Sequence, residues 1–486
     1  MSILELATSA DQDPVVSRPV PGWRFPLLCG CLLLAIGYSV FLALIAPPPD
    51  FPRQLTTFVW LWLISFVPYL VASVLILATR GPVGRKRWLE LAVILVGALV
   101  LRVQLMFLQP NLSRDSWRYL WDARVTLNGY SPYVYPPNSP VLLHLANLLL
   151  TNSRFRNVPT IYPPGAQAFY LFSYLLAPDN LVFLKGIFII CELITVAGLA
   201  VLLAKKGLDP ARCVIYAWCP LPIMEFAIQG HVDALVVMFM VLTLVCAQSQ
   251  RRGARVLTGF FLAMATLTKL YPILMLAVVW RRRDWAMVCT CLITIALSYI
   301  PYIILGHGQI FGFFATYASE QNSSNSGSVT MLMYWLSTSF GLPLFVTYLV
   351  DAVLVGGGTI LVWFWRQRER ISMEEAMLVL IGLVFVVSTH IFPWYTTALL
   401  PWVALLLGAP LSSRFNWHSR ELAALVVWYF VCFSATSYLA GYLNGWDWYY
   451  VIVYDVTWLG LACVFVVSQL HKRRGRKESK LCQMNN

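Results

Sequence analysis

The chain has 486 residues, of which 59% are hydrophobic and only 12% are charged, and its mean hydropathy is +0.70. Water-soluble globular proteins carry about twice that share of charged residues, so this class is excluded. The net charge of +13 is spread over many loops, which argues against a nucleic-acid partner. The composition predicts an all-α, polytopic transmembrane bundle, because helices satisfy every backbone hydrogen bond inside lipid.

Apolar runs suitable for spanning helices recur along most of the chain, and a bilayer requires about 20 residues for each. They lie at 26–46, 56–78, 88–108, 181–204, 213–229, 232–248, 285–305, 341–365, 374–390, 394–410, 421–440 and 450–470. Two shorter runs, 256–268 and 271–280, flank Lys269 and predict a bent or re-entrant pair. Together the runs predict about eleven to thirteen helices.

The same runs predict a modular organisation of the chain. We expect a cytoplasmic tail at 1–25, an additional transmembrane hairpin at 26–78, a core module at 88–305, a variable transmembrane module at 306–470 and a basic cytoplasmic tail at 471–486. Most of the 35 basic residues lie in alternate loops and in the C-terminal tail. Because lysine and arginine collect on the cytoplasmic side, both termini are predicted to be cytoplasmic and the loop 109–160 to face outward.

The outer loop 109–160 is too long for a simple connector. Its aromatic and aliphatic residues recur at helical spacing over 113–127 and again over 140–151, which predicts two helices lying in the membrane interface. The following stretch, 162–177, begins with the helix-start prolines Pro163 and Pro164 and predicts a helix that dips into the membrane without crossing it.

Charged residues in the first interfacial helix could carry chemistry. On a helix, Asp115 and Asp122 share one face, and Arg118 lies three residues from Asp115 on the same side. A carboxylate flanked by arginine would stay ionised at neutral pH and could accept a proton. A solvated Asp–Arg pair on an interfacial helix would have the same spacing, but the flanking aromatic residues and the long loop favour a functional site.

Further candidates lie between the apolar runs. An unpaired lysine at position 269, between two apolar runs, would cost free energy inside the membrane. Lys269 is therefore expected either to bind an anion or to extend towards the lipid headgroups. His231 and Asp233 could orient a substrate or simply form a polar turn. His390 stands beside Trp394 and Tyr395, which could form a substrate contact or an interfacial aromatic belt.

Six sequence motifs resemble one family of enzymes. The motifs are Asp115–Val125, Asn128–Tyr133, Tyr162–Phe169, Gly230–Leu235, Thr268–Pro272 and His390–Tyr395. In this order they resemble the polyprenyl-phosphate-sugar-dependent membrane glycosyltransferases of the GT-C superfamily, especially the bacterial mannosyltransferase branch. The resemblance extends over roughly 88–470, so the GT-C catalytic core is expected at 88–305.

The resemblance implies a role for each candidate residue. Asp115 is the expected catalytic base. Binding of the donor phosphate is expected from Arg118, Arg124, Lys269 and Tyr271. Contact with the acceptor or the sugar is expected from Asp122, Tyr162, His231, Asp233, His390, Trp394 and Tyr395. No metal or other cofactor is expected, because Ser116 and Trp117 follow Asp115 where many members of the superfamily carry paired acids.

The implied reaction transfers a hexose, with mannose favoured, from a polyprenyl-phosphate donor to a hydroxyl of a glycolipid or glycan acceptor. It would invert the anomeric configuration on the extracytoplasmic face of a bacterial plasma membrane. The main competing function is that of a flippase or transporter of lipid-linked sugars, which should carry its charges near the midplane in two related halves. A second competing function, a polymerase or ligase that uses lipid-diphosphate donors, should have a large outer loop late in the chain. Here the large loop is early, and the stretch 306–328 has no lysine or arginine to bind a diphosphate. The residues leave open a non-catalytic assembly subunit.

Overall fold

The structure is a computed structural model that describes residues 20–311, 335–336, 338–341, 343–388, 391–409, 420–443, 446–464 and 466. All regular secondary structure in these ranges is helical. The predicted all-α class is therefore confirmed. The prediction at His390 lies outside the described residues, as do most of the two tails, 1–25 and 471–486.

The first part of the chain forms eight α-helices around the predicted outer loop. They are α1 (Arg24–Ile45), α2 (Pro52–Ile64), α3 (Phe66–Ala78), α4 (Arg85–Val103), α5 (Asp115–Leu127), α6 (Leu148–Asn152), α7 (Pro164–Leu176) and α8 (Leu181–Lys205). The helix predicted over 113–127 is found as α5. The one predicted over 140–151 is interrupted, since a 3₁₀ turn at Pro140–Leu145 precedes α6. With 13 residues, α7 is too short to span a bilayer.

The middle of the chain contains a broken helix, which we define as Pro210–Ala217 followed by Pro220–Ile228, with a bend of 46° between the two parts. Pro220 and Pro222 account for the break, because proline lacks the amide hydrogen that a continuous helix requires. The second part ends as a π-helix over Ile223–Ile228. Three longer helices follow: α9 (Asp233–Ala247), α10 (Ala254–Thr266) and α11 (Trp285–Leu305). Between α10 and α11 lie two short helical turns, Tyr271–Met275 and Leu276–Val279.

The last part of the chain contributes five labelled helices and several short turns. They are α12 (Leu344–Gln367), α13 (Met373–Val387), α14 (Leu400–Leu406), α15 (Arg420–Ser434) and α16 (Ser437–Leu443). Short turns lie at Pro393–Thr396 and Thr397–Leu399 before α14, and at Trp446–Tyr449 after α16. An apolar helix then covers Tyr450–Val464 and begins as a π-helix over Tyr450–Asp455. A capping box starts α13, in which Ser372 and Glu375 each accept a hydrogen bond from the other's backbone amide.

Six helices in the described ranges are long and apolar enough to cross a membrane, and the broken helix would add a seventh span. The six are Arg24–Ile45, Pro52–Ala78, Leu181–Lys205, Trp285–Leu305, Tyr348–Gln367 and Arg420–Leu443. The protein is therefore a multi-pass integral membrane protein. Other predicted runs form shorter helices: the run 232–248 yields the 15 residues of α9, and the run 394–410 is divided by turns around Pro393 and Pro401.

Buried ion pairs connect the helices across the core. Arg102 in α4 contacts Glu192 in α8 through two hydrogen bonds of 2.8 and 2.6 Å, and both side chains are fully buried. A second buried pair joins Arg24 at the start of α1 to Glu90 in α4, at 2.9 Å. Such pairs fix the register of neighbouring helices, because a displaced partner would leave an unpaired charge in an apolar environment.

Candidate active site

Asp115 is the first residue of α5, and the segment that leads into it is held by the side chain of Gln229, the residue directly after the broken helix. The Gln229 Oε1 atom accepts hydrogen bonds from the backbone amides of Asn111, Leu112 and Ser113, at 3.1, 2.9 and 3.1 Å. Its Nε2 atom donates to Asn111 Oδ1 at 3.0 Å. One buried amide therefore holds the segment that leads into the helix of Asp115.

Gly230 allows the next residue, His231, to approach α5. Its φ of +73° lies in the left-handed region that favours glycine. An added Cβ would stand 3.1 Å from Ser116 Cβ and 3.3 Å from Lys185 Cγ. Ser116 also donates a hydrogen bond of 2.8 Å to the carbonyl of Gln229. A close backbone contact thus joins the start of α5 to the end of the broken helix.

His231 faces Asp115 from a fully buried position. Its Nε2 atom lies 3.9 Å from Asp115 Oδ2, and its Nδ1 atom lies 2.9 Å from Glu225 Oε2. The imidazole stacks on the indole of Trp394, with ring centroids 3.9 Å apart. The side chain of Asp115 is 21% exposed, so the carboxylate is accessible from one side and packed on the other.

Lys269 pairs with Asp233, and the two form the charged wall of the site. The Lys269 Nζ atom donates to Asp233 Oδ1 at 2.7 Å and lies 3.8 Å from the centroid of the Tyr395 ring. Lys269 follows the end of α10, where the carbonyl of Leu267 accepts a 3.0 Å hydrogen bond from the amide of Ala166 in α7. The ammonium is thus held by tertiary contacts and by a cation–π contact, whereas an extension towards the headgroups would have left it without them.

The electrostatics of the site favour a basic carboxylate. Burial raises the pKa of Asp115, Arg154 and Lys269 lower this pKa, and the negative charge of Asp233 raises it. Burial, followed by the charge of Lys269, lowers the pKa of His231 well below its usual range, so the imidazole is neutral at pH 7. Burial also lowers the pKa of the Lys269 ammonium, which Asp233 opposes. A carboxylate with a raised pKa is a stronger proton acceptor.

The expected pairing of Asp115 with Arg118 is not found. Arg118 Nε instead donates to Asp122 Oδ1 at 2.7 Å, one helical turn further on. The two Nη atoms of Arg118 donate to the carbonyls of Phe155 and Val158, both at 2.9 Å. Because these contacts engage the whole guanidinium, Arg118 and Asp122 brace the outer loop against α5. Their predicted roles in binding phosphate and acceptor are untested and stay predictions.

The structure also separates Arg124 from the candidate site. Arg124 donates to the carbonyl of Leu145 at 3.0 Å, to Tyr174 Oη at 3.0 Å and to Asp179 Oδ2 at 3.2 Å. These contacts connect α5 to the 3₁₀ turn and to the end of α7. The predicted phosphate contact of Arg124 remains a prediction, although this geometry favours a structural role.

Two predicted tyrosines line the surroundings of the site. Tyr162 Oη lies 3.2 Å from Tyr119 Oη, and its backbone carbonyl accepts a 2.7 Å hydrogen bond from Tyr133. Tyr271 lines an apolar cleft between the helical turn Tyr271–Met275 and α13, together with Met240 and Met377. Tyr162 therefore belongs to an aromatic cluster beside α5. Tyr271 lies on the apolar side of the turn that contains Lys269, between α10 and the helical turn Tyr271–Met275.

Sequence reasoning missed Arg154 and Tyr438. Of the charged groups that act on Asp115, Arg154 has the largest effect, and its guanidinium forms no hydrogen bond or ion pair with any residue that the structure describes. Tyr438 donates to both carboxylate oxygens of Glu225, at 2.9 and 3.1 Å. No local motif marks either residue, since each reaches the site only through the tertiary fold. Across the described ranges, no group of three or more metal-ligating side chains converges.

The chain is similar to glycosyltransferase family 87 over residues 160–393, just under half of its length. This stretch includes His231, Asp233 and Lys269 but begins after Asp115. No curated protein matches the chain. Among solved structures, the crystal structure of ArnT from Cupriavidus metallidurans bound to undecaprenyl phosphate matches with 18% identity and a TM-score of 0.44, covering 82% of this chain and 79% of that one.

Proposed function

We propose that the protein is a GT-C-type membrane glycosyltransferase. It transfers a hexose, with mannose as the first candidate, from a polyprenyl-phosphate donor to a hydroxyl of a glycolipid or glycan acceptor. The reaction takes place on the extracytoplasmic face of a bacterial plasma membrane. One observation carries the proposal: the carboxylate of Asp115 faces His231 beside the Lys269–Asp233 pair, and the last three residues lie in the segment that resembles a glycosyltransferase family.

In this reaction, Asp115 removes the proton of the acceptor hydroxyl as its oxygen attacks the anomeric carbon. The bond from that carbon to the phosphate oxygen breaks on the opposite face, so the anomeric configuration inverts. Negative charge develops on the departing phosphate, and the ammonium of Lys269 stabilises it. Arg154 is the second cation that we assign to the phosphate, because no residue that the structure describes forms an ion pair with its guanidinium.

The direct test uses purified protein in nanodiscs with radiolabelled polyprenyl-phosphate-mannose and a crude lipid extract as the acceptor. Transfer of the label to a new product is the expected result. Parallel reactions with glucosyl and arabinosyl donors identify the sugar, because only the preferred donor transfers efficiently. Binding of all three donors without transfer would contradict the enzyme assignment and favour a carrier of lipid-linked sugars.

Substitution of Lys269 tests the phosphate contact. Lys269→Gln is expected to lower kcat/KM for the donor by about 10²-fold, since a preorganised charge facing the leaving group is lost. Glutamine retains a donor for Asp233, so the wall of the site stays hydrogen-bonded. The matched control is Lys206→Gln, which removes a lysine paired with Glu374 at 2.8 Å on another helix end. An unchanged donor dependence in Lys269→Gln would remove this lysine from the donor site.

The pH dependence of kcat/KM tests the electrostatics of Asp115. The base must be ionised, so activity is lost as the pH falls through its pKa. Arg154 lowers this pKa and Asp233 raises it. Arg154→Gln should therefore move the acidic limb of the profile to higher pH, and Asp233→Asn should move it to lower pH. If the acidic limb moved in the same direction in both variants, it would report the titration of a group other than Asp115.

A further inference from the structure

Behind Asp115, two buried polar side chains form a chain of contacts that the proposed reaction does not use. Glu225 lies in the π-helix and is fully buried. Its Oε2 atom contacts His231 Nδ1 at 2.9 Å, and both of its oxygens accept from the Tyr438 hydroxyl. The Tyr438 hydroxyl donates to the Glu225 carboxylate, whereas His231 Nδ1 can donate or accept in its contact. We assign an ionised Glu225 and an imidazole proton on Nδ1 to the resting site.

This tautomer leaves a lone pair on His231 Nε2. That atom is buried and has no hydrogen-bond partner among the described residues, although Asp115 Oδ2 lies only 3.9 Å away. With the imidazole proton on Nδ1, both atoms are acceptors, and the 3.9 Å separation is consistent with that assignment. When Asp115 carries a proton, the same gap becomes a donor facing an acceptor, and a small movement of the carboxyl group closes it.

On the basis of the proposed function, we propose that Glu225 stores the proton that Asp115 takes from the acceptor. The O–H bond of Asp115 breaks as a new bond forms at His231 Nε2. The Nδ1–H bond breaks as a new O–H bond forms at Glu225 Oε2. The imidazole changes tautomer and ends neutral, and Asp115 is again a carboxylate. After the products leave, the proton returns by the same path and escapes from the exposed side of Asp115.

The surrounding charges favour this direction of transfer. The negative charge moves from the fully buried Glu225 to the partly exposed Asp115. Lys269 and Arg154 both stabilise the ionised form of Asp115. A double shift also avoids a buried imidazolium, which the burial of His231 disfavours. His231 and Glu225 thus act through Asp115 and are positioning residues.

Groups on several elements face the chain of contacts and must be considered in any pH profile. The negative charge of Asp233, at the start of α9, disfavours a negative charge on both Glu225 and Asp115.

The positive charge of Lys269, after α10, disfavours a positive charge on His231 and favours a negative charge on Asp115. Arg154 from the outer loop acts on Asp115, and the Tyr438 hydroxyl from α16 contacts Glu225. Tyr442 lies one turn after Tyr438 in the same helix and interacts with it electrostatically. Of these groups, Glu225 and Asp115 are the carboxylates in the proposed proton path.

The test is the pH profile of kcat at saturating donor and acceptor. In the wild type, both Glu225 and Asp115 must be unprotonated, so the acidic limb of log kcat should approach a slope of 2. Glu225→Gln should reduce this slope to 1 and lower kcat about 10- to 100-fold, while the KM values change less than twofold. His231→Gln should reduce the slope and kcat to the same extent. The double variant, Glu225→Gln with His231→Gln, should have a kcat no lower than that of either single variant.

Two further variants separate proton storage from folding. Tyr438→Phe keeps the ring and removes the hydroxyl donor of Glu225, and it should lower kcat about threefold or more with unchanged donor binding. The control is Glu374→Gln, a buried glutamate at another helix end, which should leave the slope and kcat unchanged. A slope of 2 in Glu225→Gln would overturn the proton store. Absence of transfer by the wild type would instead overturn the proposed function.

Discussion

Replacing Asp115 with asparagine is expected to lower the rate of sugar transfer by at least about 10³-fold. Asparagine matches the aspartate in size, so the contacts made by Gln229 and Ser116 at the start of α5 should persist. The amide cannot accept a proton from the acceptor hydroxyl. The measurement is initial-rate transfer of label from polyprenyl-phosphate-mannose, together with the donor dissociation constant, which should change less than about threefold.

The control for Asp115→Asn is Asp179→Asn. Asp179 follows α7, and its side chain is 43% exposed where it pairs with Arg124 at 3.2 Å. The loss of such an exposed pair costs at most about 1 kcal/mol, so transfer should stay within twofold of the wild type. Transfer by Asp115→Asn above a tenth of the wild-type rate would assign the base to another residue.

The largest expected effect on stability concerns the buried pair of Arg102 and Glu192. Arg102→Met should lower the free energy of unfolding by about 3–5 kcal/mol, because it leaves a buried carboxylate without its partner. The guanidinium also donates to the carbonyl of Ala217 in the broken helix, at 2.7 Å. Substitution should therefore loosen three helices together. The measurement is unfolding by denaturant in a mild detergent, followed by tryptophan fluorescence.

A second substitution distinguishes charge burial from packing. In Arg102→Met combined with Glu192→Leu, neither charge of this pair remains in the core. The double variant should recover most of the lost free energy, since buried ion pairs replaced by apolar residues are often neutral in stability. A double variant as unstable as Arg102→Met alone would show that the hydrogen bonds to backbone carbonyls, rather than the unpaired carboxylate, determine the effect.

The sequence was sufficient to predict the helical class, the position of α5 and the Lys269 turn. Hydrophobic periodicity and the cost of charge in lipid are local properties that can be recognised in a single chain. The partner of Arg118 could not be predicted in this way. Both Asp115 and Asp122 lie at helical spacing from it, and the carbonyls of Phe155 and Val158, supplied by the fold, select Asp122.

The lengths of the helices also do not follow from the sequence alone. The run 213–229 is apolar throughout, but Pro220 and Pro222 bend it and a π-helix follows. Composition alone does not reveal how far a proline will bend a helix, because neighbouring elements can satisfy the freed backbone groups. The contact of Tyr438 with Glu225 spans more than two hundred residues and depends wholly on the packing of α16.

The Gln229 side chain has a consequence for protein engineering. Specificity in membrane enzymes is often explored by grafting an extramembrane loop from a relative. Here the loop before Asp115 is anchored by an amide that belongs to a different helix. A graft of residues 109–160 alone would replace the three residues whose amides bond Gln229 and would leave Gln229 facing a foreign loop. Chimeras should therefore exchange residue 229 together with the loop, and a parallel graft that omits it should misplace the carboxylate.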